Sequence, residues 1–273
     1  MTEQAERYDR IAAGYARWWA PVLAPQATAL LDRLDVAVER GARRLIDVGT
    51  GTGTLAIAAI KRWPDVSVVG IDASRGMADA AASEGDRLLT PGDRRRFDVR
   101  VAFADKLPFA DGSFDAAMSS FVFQLVPNRA RAIREAHRVL RPNGMLAYVS
   151  WLAEDRAFPP DVEFDDALDE VGVGARLPDD RPGDIPDVDG AAAQLRRAGF
   201  RDVDAQRGEL EHQFDAEGYI RFMTEFDEED LVRSLEPDLR ERLVDRLRER
   251  LEARPATDLV LRLPVVAVSG RRS

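Results

Sequence analysis

Short apolar runs that alternate with helical segments constrain the fold of this 273-residue chain more than any other feature. The runs lack the polar and apolar alternation of a sheet with one face in water. Strands are predicted at 44–49, 66–72, 97–104, 113–121 and 144–151, and helices at 54–63, 73–89 and 128–140. Strands buried on both faces and separated by helices predict a doubly wound α/β fold with a mostly parallel sheet.

Two turn signals set boundaries within this pattern. Pro142 cannot continue the helix of 128–140, and Gly144 is expected to adopt a left-handed turn. Asp111 and Gly112 predict a tight turn, and the few residues before the fourth strand leave a short helix or none after the third strand.

The outer segments are predicted to add helices and two further strands. Helices are expected at 4–40, with breaks near Pro21 and Pro25, and at 191–203, closing at Gly199; strands are expected from there through Phe214 and at 259–270. Five leucines repeat every fourth residue and predict one apolar helix face, which we interpret as a cap packed on the core rather than a dimer face. They are Leu235, Leu239, Leu243, Leu247 and Leu251.

Composition limits the function classes. The chain has no cysteine and two histidines, which excludes thiol chemistry and leaves little for a metal site, so none is expected. A net charge of −10 disfavours nucleic acid as a partner, because phosphate binding needs a basic face. No apolar run is long enough for a bilayer and the first residues do not resemble a signal peptide, so a cytoplasmic protein without membrane insertion is expected. The oligomeric state is left open.

A glycine-rich turn follows the first predicted strand, with Gly49, Gly51 and Gly53 in five positions. Glycine permits positive φ and lets a ligand lie against the main chain, and the next helix points its free amide groups at that ligand. The turn therefore predicts a cofactor site. A phosphate-binding P-loop is excluded because no Lys-Ser or Lys-Thr pair follows.

Two cofactor classes fit the turn. Gly51 to Ala56 matches the dinucleotide pattern G-x-G-x-x-A, with Asp72 at a suitable distance to hold a ribose. In that register the first glycine lies two residues beyond the strand. The frame that starts at Asp47 instead places Gly49 directly after the strand. We favour this second frame, which argues against a nicotinamide dinucleotide oxidoreductase.

Four motifs in this order and spacing resemble the class I S-adenosylmethionine-dependent methyltransferases, particularly the small-molecule group related to the ubiquinone and menaquinone methyltransferases. They are LIDVGTGTG (45–53), VVGIDAS (68–74), FADKLPFADGSFDAAMSS (103–120) and RVLRPNGMLAYVSW (138–151). The resemblance covers residues 5–151 well and the rest in outline. It implies a Rossmann-like sheet of seven strands with an antiparallel last strand, and methyl transfer from S-adenosyl-L-methionine to a small molecule, with S-adenosyl-L-homocysteine as product.

The resemblance also implies how the cofactor would be held. The glycine turn would lie under its amino acid part, with Asp47 near the ammonium group directly or through water. Asp72 would accept hydrogen bonds from both ribose hydroxyls, and Asp105 from the adenine amino group, beside the Lys106 backbone amide. The residues at 119–121 would line the sulfonium side. The implied cofactor-binding residues are Asp47, Gly49, Thr50, Gly51, Gly53, Asp72, Ala73, Met77, Ala104, Asp105, Lys106, Ser119, Ser120, Phe121 and Tyr15.

Resembling enzymes often begin with a helix that closes over the cofactor, and YDRIAAGYARWW (8–19) fits that pattern. The aromatic candidates for acceptor contacts are Tyr8, Trp18, Trp19 and Trp151. The alternative is that this helix simply packs on the sheet.

The sulfonium makes the methyl group electrophilic, so positioning is expected to carry the reaction and the catalytic residue stays unknown. His212 is the candidate for a catalytic base, and the alternative is that it is an ordinary histidine of a strand. His137 is expected to be structural. A non-catalytic S-adenosylmethionine-binding protein remains an alternative to an enzyme. The acceptor atom is left open.

Residues 152–190 contain 13 acidic residues against three arginines and predict an irregular, mobile lid. Such a lid would favour a neutral or amine-bearing acceptor through its field, or else be a solvated loop without influence on the acceptor. We expect a single methyltransferase domain over 1–273. Its parts are an N-terminal helical cap (1–40), a cofactor-binding core (41–151), the acidic lid (152–190) and a C-terminal part (191–273) with a helical substrate cap at about 215–255.

Overall fold

Seven strands form one sheet in the computed structural model, which describes residues 3–154, 157–174, 176 and 183–273. Along the sheet the strands follow the order β3-β2-β1-β4-β5-β7-β6. The strands are β1 (Arg44–Val48), β2 (Ser67–Asp72), β3 (Phe97–Val101), β4 (Phe114–Ser120), β5 (Leu140–Trp151), β6 (Phe200–Gln213) and β7 (Val260–Arg272). Strands β3, β2, β1, β4 and β5 pair in parallel, and β7 runs antiparallel to β5. The predicted doubly wound sheet with an antiparallel last strand is confirmed.

The central strands are buried on both faces, as their continuous apolar sequence predicts. Leu45, Ile46 and Val48 are fully buried in β1. β1 has β2 on one side and β4 on the other, so the chain leaves β1 in one direction and returns to its opposite edge. Such a reversal opens a crevice at the carboxyl ends of the strands, where α/β proteins bind ligands.

Twelve α-helices are described. They are α1 (Glu3–Gly14), α2 (Ala20–Ala29), α3 (Asp35–Glu39), α4 (Thr54–Arg62), α5 (Arg75–Leu88), α6 (Pro91–Arg94), α7 (Arg129–Val139), α8 (Pro159–Glu170), α9 (Val188–Arg197), α10 (Ala216–Phe222), α11 (Glu229–Ser234) and α12 (Pro237–Glu252). No described helix is both long and apolar enough to cross a membrane.

The sequence predicted breaks in the N-terminal helices near Pro21 and Pro25, but both prolines lie within α2. Pro21 lies in the first turn of α2, where its missing N–H costs nothing, and Pro25 lies inside that helix. The irregularity comes earlier, where residues Tyr15–Trp19 form a π-helical turn between α1 and α2.

The two turn predictions have different outcomes. Gly112 has a φ of +65°, and no described residue between β3 and β4 belongs to a helix, as expected. At the end of α7 the left-handed residue is Asn143, with a φ of +65°, and not Gly144. Gly144 is needed for a different reason, because a Cβ there would lie 2.8 Å from the Arg141 carbonyl oxygen.

The chain divides into two compact units. The first contains Met1–Ala153, Gly183–Gly208 and Pro264–Ser273, and the second contains Glu154–Pro182 and Glu209–Leu263. The sheet core and helices α1–α7 and α9 fall in the first unit, and helices α8 and α10–α12 fall in the second.

The second unit corrects the expectation of an irregular acidic lid. Residues Pro159–Glu170 form α8, which begins at two prolines and buries Phe164, Ala167 and Leu168. These apolar residues lie on one helix face, so the segment has a helical pattern in spite of its acids and prolines. Asp155, Asp179 and Asp180 of the acidic segment lie outside the described residues.

Three acids of α8, Glu163, Asp166 and Glu170, are paired with arginines of α12. Arg250 Nε lies 2.6 Å from Glu163 Oε2, and Arg250 Nη1 lies 2.7 Å from Glu170 Oε1. Glu170 Oε2 also lies 2.7 Å from Arg246 Nε. These contacts compensate the negative charge locally, which removes much of the field that the lid hypothesis required.

The leucine repeat forms a buried face within this second unit. Leu243, Leu247 and Leu251 of α12 are at most 1% exposed, whereas Leu239 is half-buried and Leu235 precedes the helix. Burial inside the unit favours packing over a dimer face.

Candidate cofactor site

A cavity of about 200 Å³ opens at the carboxyl ends of β1, β2 and β4. It is lined by residues of the first unit alone. Thirteen of the residues that the sequence analysis selected line it: Tyr8, Tyr15, Asp47, Gly49, Thr50, Gly51, Asp72, Ala73, Met77, Ala104, Asp105, Ser120 and Phe121. The structure therefore brings most of the predicted site residues together.

The glycine turn has a left-handed backbone at all three glycines. The φ angles are +73° at Gly49, +54° at Gly51 and +85° at Gly53, which other residues rarely adopt. A Cβ at Gly49 would lie 2.3 Å from a methyl group of Val122, so the fold itself requires that glycine. A Cβ at Gly51 would have only Tyr15 Cε1 nearby, at 3.9 Å. Gly51 thus presents bare backbone to the cavity, whereas Gly53 does not line it.

Asp72, at the end of β2, ties this turn to the next loop. Its Oδ2 accepts a hydrogen bond from the Gly51 amide at 2.9 Å, and its Oδ1 accepts one from the Ser74 amide at 2.9 Å. Loss of water contacts raises the pKa of Asp72, while these hydrogen bonds lower it. Each carboxylate oxygen has two lone pairs, so both can accept a further hydrogen bond from a ligand.

Asp47 is a buried carboxylate in the cavity wall, 1% exposed. Its Oδ2 accepts a hydrogen bond from Thr50 Oγ1 at 2.8 Å, and its Oδ1 has no hydrogen-bond partner among the described residues. Burial, the main cause, raises the pKa of Asp47 to about 7, and the negative charge of Asp72 adds to the increase. A buried acceptor without a partner is costly unless a ligand supplies a donor.

The Thr50 hydroxyl can reach Asp47 because the neighbouring residue of β2, Gly70, has no side chain. Gly70 pairs with Asp47 across the two strands. A Cβ at Gly70 would lie 2.8 Å from Thr50 Oγ1 and 3.0 Å from Thr50 Cβ. The hydroxyl therefore occupies the space that a side chain at position 70 would fill.

The loop after β3 supplies Ala104 and Asp105 to the cavity, whereas Lys106 does not line it, and its contact with adenine stays a prediction. The Lys106 amide donates a hydrogen bond to the Phe103 carbonyl at 3.1 Å, which closes a turn and uses the donor assigned to an adenine nitrogen. The neighbouring Phe103, which the sequence analysis had not selected, lines the cavity and is 39% exposed.

At the end of β4, Ser120 and Phe121 line the cavity, and Ser119 does not. The Ser119 side chain is buried, and its Oγ donates a hydrogen bond to the Val48 carbonyl at 2.7 Å. Alternate residues of a strand point to opposite faces, so neighbouring serines have different environments. Phe121 has a φ of +56°, a conformation that a bulky residue adopts only when its surroundings hold it there.

The N-terminal aromatic residues divide into two groups. Tyr8 and Tyr15 line the cavity, with ring centroids 6.0 Å apart. Trp19 packs on Trp151 with centroids 6.4 Å apart, and Trp151 packs on Phe121 at 4.2 Å. Trp151 therefore contacts the cavity-lining Phe121, and Trp19 packs on Trp151.

Trp18 does not line the cavity either, and the Arg17 guanidinium lies over its ring at 4.7 Å from the centroid. The assignment of Trp18, Trp19 and Trp151 to an acceptor remains a prediction.

Sequence reasoning missed the apolar part of the lining. One group follows β4, within the run FVFQLVP, and the other lies on α2, where the prolines had drawn attention away from the apolar face. The missed apolar residues of these two groups are Ala20, Leu23, Ala27, Val122, Leu125, Val126 and Pro127, and those elsewhere in the lining are Ala5, Leu55, Ile71, Ala102 and Phe103. The apolar run after Phe121 was the available signal.

The two histidines lie apart from this lining. His137 packs edge-on against Phe200 at 4.9 Å, and burial lowers its pKa, which fits the expected structural role. His212 belongs to the second unit, where it packs on Phe214 at 4.5 Å. Its role as a base stays a prediction.

The charge of the cavity is one-sided. Of the described residues that line it, Asp47, Asp72 and Asp105 carry carboxylates, and none is Lys, Arg or His. Such a wall favours a ligand with hydroxyl, amino or cationic groups and disfavours a diphosphate. No group of His, Asp and Glu among the described residues is arranged to hold a metal ion.

Comparison with known proteins agrees with this geometry. Residues 46–148 match the family model described as a methyltransferase domain. A malonyl-[acyl-carrier protein] O-methyltransferase of Geobacter sulfurreducens is 35% identical over 180 residues, which cover 65% of this chain and 63% of that protein. A demethylmenaquinone methyltransferase of Thermus thermophilus is 35% identical over 129 residues, 46% of this chain and 52% of that protein. The chain thus spans between half and two thirds of the length of these relatives.

A solved structure of similar fold is phosphoethanolamine N-methyltransferase 2 of Haemonchus contortus in complex with S-adenosyl-L-methionine. It superposes with a TM-score of 0.53 at 17% identity, over 91% of this chain and 53% of that chain. The fold of this chain is therefore a Rossmann-like α/β fold, which solved structures of methyltransferases share. Residues 46–148 are thus similar to the methyltransferase domain family.

Proposed function

We propose that this protein binds S-adenosyl-L-methionine in the cavity at the glycine turn and transfers its methyl group to a small-molecule acceptor. The observation that carries the proposal is the buried Asp47, whose Oδ1 lacks a partner among the described residues, in a wall that Gly51 and Asp72 complete. The family match and the named methyltransferase relatives support the same reaction class.

The residues present fit this cofactor. Asp47 would hold the ammonium group, because a cation is the partner that a buried carboxylate lacks here. Asp72 would accept from the ribose hydroxyls with the lone pairs that Gly51 and Ser74 leave free. Asp105 would accept from the adenine amino group. When bound, the cofactor supplies an electrophilic methyl group on a sulfonium centre, and the protein's contribution is alignment and exclusion of water.

The nicotinamide alternative fits less well. Three carboxylates and no cationic side chain among the described lining residues would face a diphosphate. Dinucleotide sites also use the glycine turn for the pyrophosphate, whereas this turn lies next to the Asp47 carboxylate. Charge therefore favours the sulfonium cofactor.

Binding is tested first by thermal unfolding with S-adenosyl-L-methionine, S-adenosyl-L-homocysteine or NAD. A ligand at 100 times its Kd stabilises the folded state by about 2.7 kcal/mol, or several degrees in Tm for a chain of this size. We expect such a shift with the first two ligands and none with NAD. Asp72→Asn should reduce the shift, whereas Asp79→Asn, at an exposed position of α5, should not.

Transfer is tested separately by release of S-adenosyl-L-homocysteine in the presence of panels of small-molecule acceptors. A response to NAD alone would refute the proposed cofactor. Binding of the sulfonium cofactor without release in any panel would favour the non-catalytic alternative.

A further inference from the structure

The N-terminal helix is attached to the cofactor site through one side chain. Asp9 Oδ1 accepts hydrogen bonds from Ser74 Oγ at 2.6 Å and from the Gly76 amide at 2.8 Å. These two donors lower the pKa of Asp9, so the carboxylate is ionised at neutral pH and both hydrogen bonds are charge-assisted. α1 thus supplies a negative charge to the first turn of α5.

The same serine is bonded to the candidate ribose ligand. The Ser74 amide donates to Asp72 Oδ1 at 2.9 Å, and Ser74 Oγ accepts from the Met77 amide at 3.0 Å as the N-cap of α5. Ser74 is 1% exposed, so its hydroxyl has a fixed set of partners. Asp9 and Asp72 therefore hold opposite sides of one residue.

Close packing reinforces this attachment. A Cβ at Gly76 would lie 3.0 Å from the Asp9 carbonyl oxygen and 3.2 Å from the Asp9 Cα. The backbone of α1 thus lies directly against α5, and only glycine leaves room for it. Tyr8, next to Asp9, and Tyr15, at the start of the π-helical turn, then lie in the cavity wall.

We propose that Asp9 is a positioning residue that latches α1 over the cofactor cavity, so that release of its bonds to Ser74 and Gly76 opens the wall formed by Tyr8 and Tyr15 for cofactor exchange. The proposal rests on the proposed function for the identity of the ligand. In the latched state the two tyrosines close the cavity beside Asp72, and in the released state that side of the cavity is open to solvent.

The test compares three variants with the wild-type protein. Asp9→Ala removes the acceptor, Asp9→Asn keeps an acceptor of the same shape without the charge, and Glu6→Ala removes an exposed carboxylate from the same helix. Dissociation of S-adenosyl-L-homocysteine is measured by stopped-flow fluorescence, and trypsin cleavage at Arg10 and Arg17 reports opening of α1 without ligand. Both positions are exposed.

We expect Asp9→Ala to dissociate the ligand about tenfold faster, the factor that corresponds to loss of a charge-assisted hydrogen bond. Asp9→Asn keeps an acceptor but loses the charge that strengthens both hydrogen bonds, so it should dissociate the ligand about threefold faster than the wild type, and Glu6→Ala should match the wild type. Trypsin should cut Asp9→Ala faster at an unchanged global Tm, and the ligand should protect the wild type. A purely structural Asp9 would change Tm without changing the dissociation rate after correction for stability.

The outcomes separate the two proposals. If the wild-type protein does not bind S-adenosyl-L-homocysteine, both the proposed cofactor and the latch are refuted. A wild type that binds, with Asp9→Ala equal to Glu6→Ala in dissociation rate and in cleavage, refutes the latch alone. If Asp9→Ala fails to fold, Asp9→Asn decides, because dissociation and cleavage rates in Asp9→Asn equal to those in Glu6→Ala refute the latch, and faster rates in Asp9→Asn support it.

Discussion

Replacement of Asp47 by asparagine is expected to stabilise the ligand-free protein while it weakens cofactor binding. The pKa of Asp47 rises from the usual 3.8 to about 7 because the carboxylate is buried. Because the folded protein then holds this proton more tightly than the unfolded chain, the free energy of unfolding falls as the pH rises from about 4 to about 7 and is level above that.

The size of the effect follows from the shift. About three pKa units at about 1.36 kcal/mol each correspond to about 4 kcal/mol at pH 8. Asparagine removes the charge but leaves an amide donor that needs a partner, which offsets about half of this gain. We therefore expect Asp47→Asn to gain about 2 kcal/mol at pH 8, or roughly 4 to 8 °C in Tm, and less at pH 5.

Thermal unfolding followed by circular dichroism at pH 5 and pH 8, without ligand, measures this difference. Asp79→Asn is the matched control, because its carboxylate is exposed and the same charge is removed. Titration calorimetry on the same variant should show weaker binding of S-adenosyl-L-homocysteine. A variant that melts at or below the wild type at pH 8, or one whose gain is equal at both pH values, would refute the reasoning.

Three further substitutions test other parts of the structure. Gly51→Ala forces a φ of +54° on a non-glycine residue facing the cavity, so cofactor affinity measured by calorimetry should fall about tenfold, and unchanged affinity would contradict this. Ser119→Ala loses the hydrogen bond to the Val48 carbonyl, and urea unfolding should show a loss of about 1 kcal/mol with the same affinity for the cofactor. Arg250→Ala leaves the buried carboxylate of α8 with fewer partners and should cost about 2 kcal/mol in urea unfolding, whereas the exposed Arg242→Ala should cost little; equal losses would contradict the pairing.

The sheet and the residues that form the candidate cofactor cavity were predictable where their signals are local. Glycine at 49, 51 and 53 is dictated by backbone angles at those very positions, and Asp47 and Asp72 lie at strand ends that the apolar runs already mark. The carboxyl ends of parallel strands meet at one edge, so the acids were expected to meet there too.

The remaining contacts depend on neighbours distant in sequence. Which of Ser119 and Ser120 faces the cavity is set by the register of β4 against β1, and a shift of one residue exchanges them. The Lys106 amide donates a hydrogen bond to the Phe103 carbonyl within the same turn, and the residue types do not predict this bond. The latch between Asp9 and Ser74 spans 65 positions, and no periodicity links them.

The acidic segment shows a different limit. Its charges and prolines predicted an irregular loop, but the partners that make α8 regular come from α12, far along the chain. Composition alone does not report such pairing. The spacing of Phe164, Ala167 and Leu168 was the local signal that outweighed it.

The absence of a side chain at Gly70 couples the residue choice at position 70 to that at position 50. Any larger residue there would displace the Thr50 hydroxyl and remove the hydrogen bond that it donates to the Asp47 carboxylate. Across related sequences, positions 50 and 70 are therefore expected to vary together: a protein that gains a side chain at 70 must shorten the one at 50 and find its acid another donor.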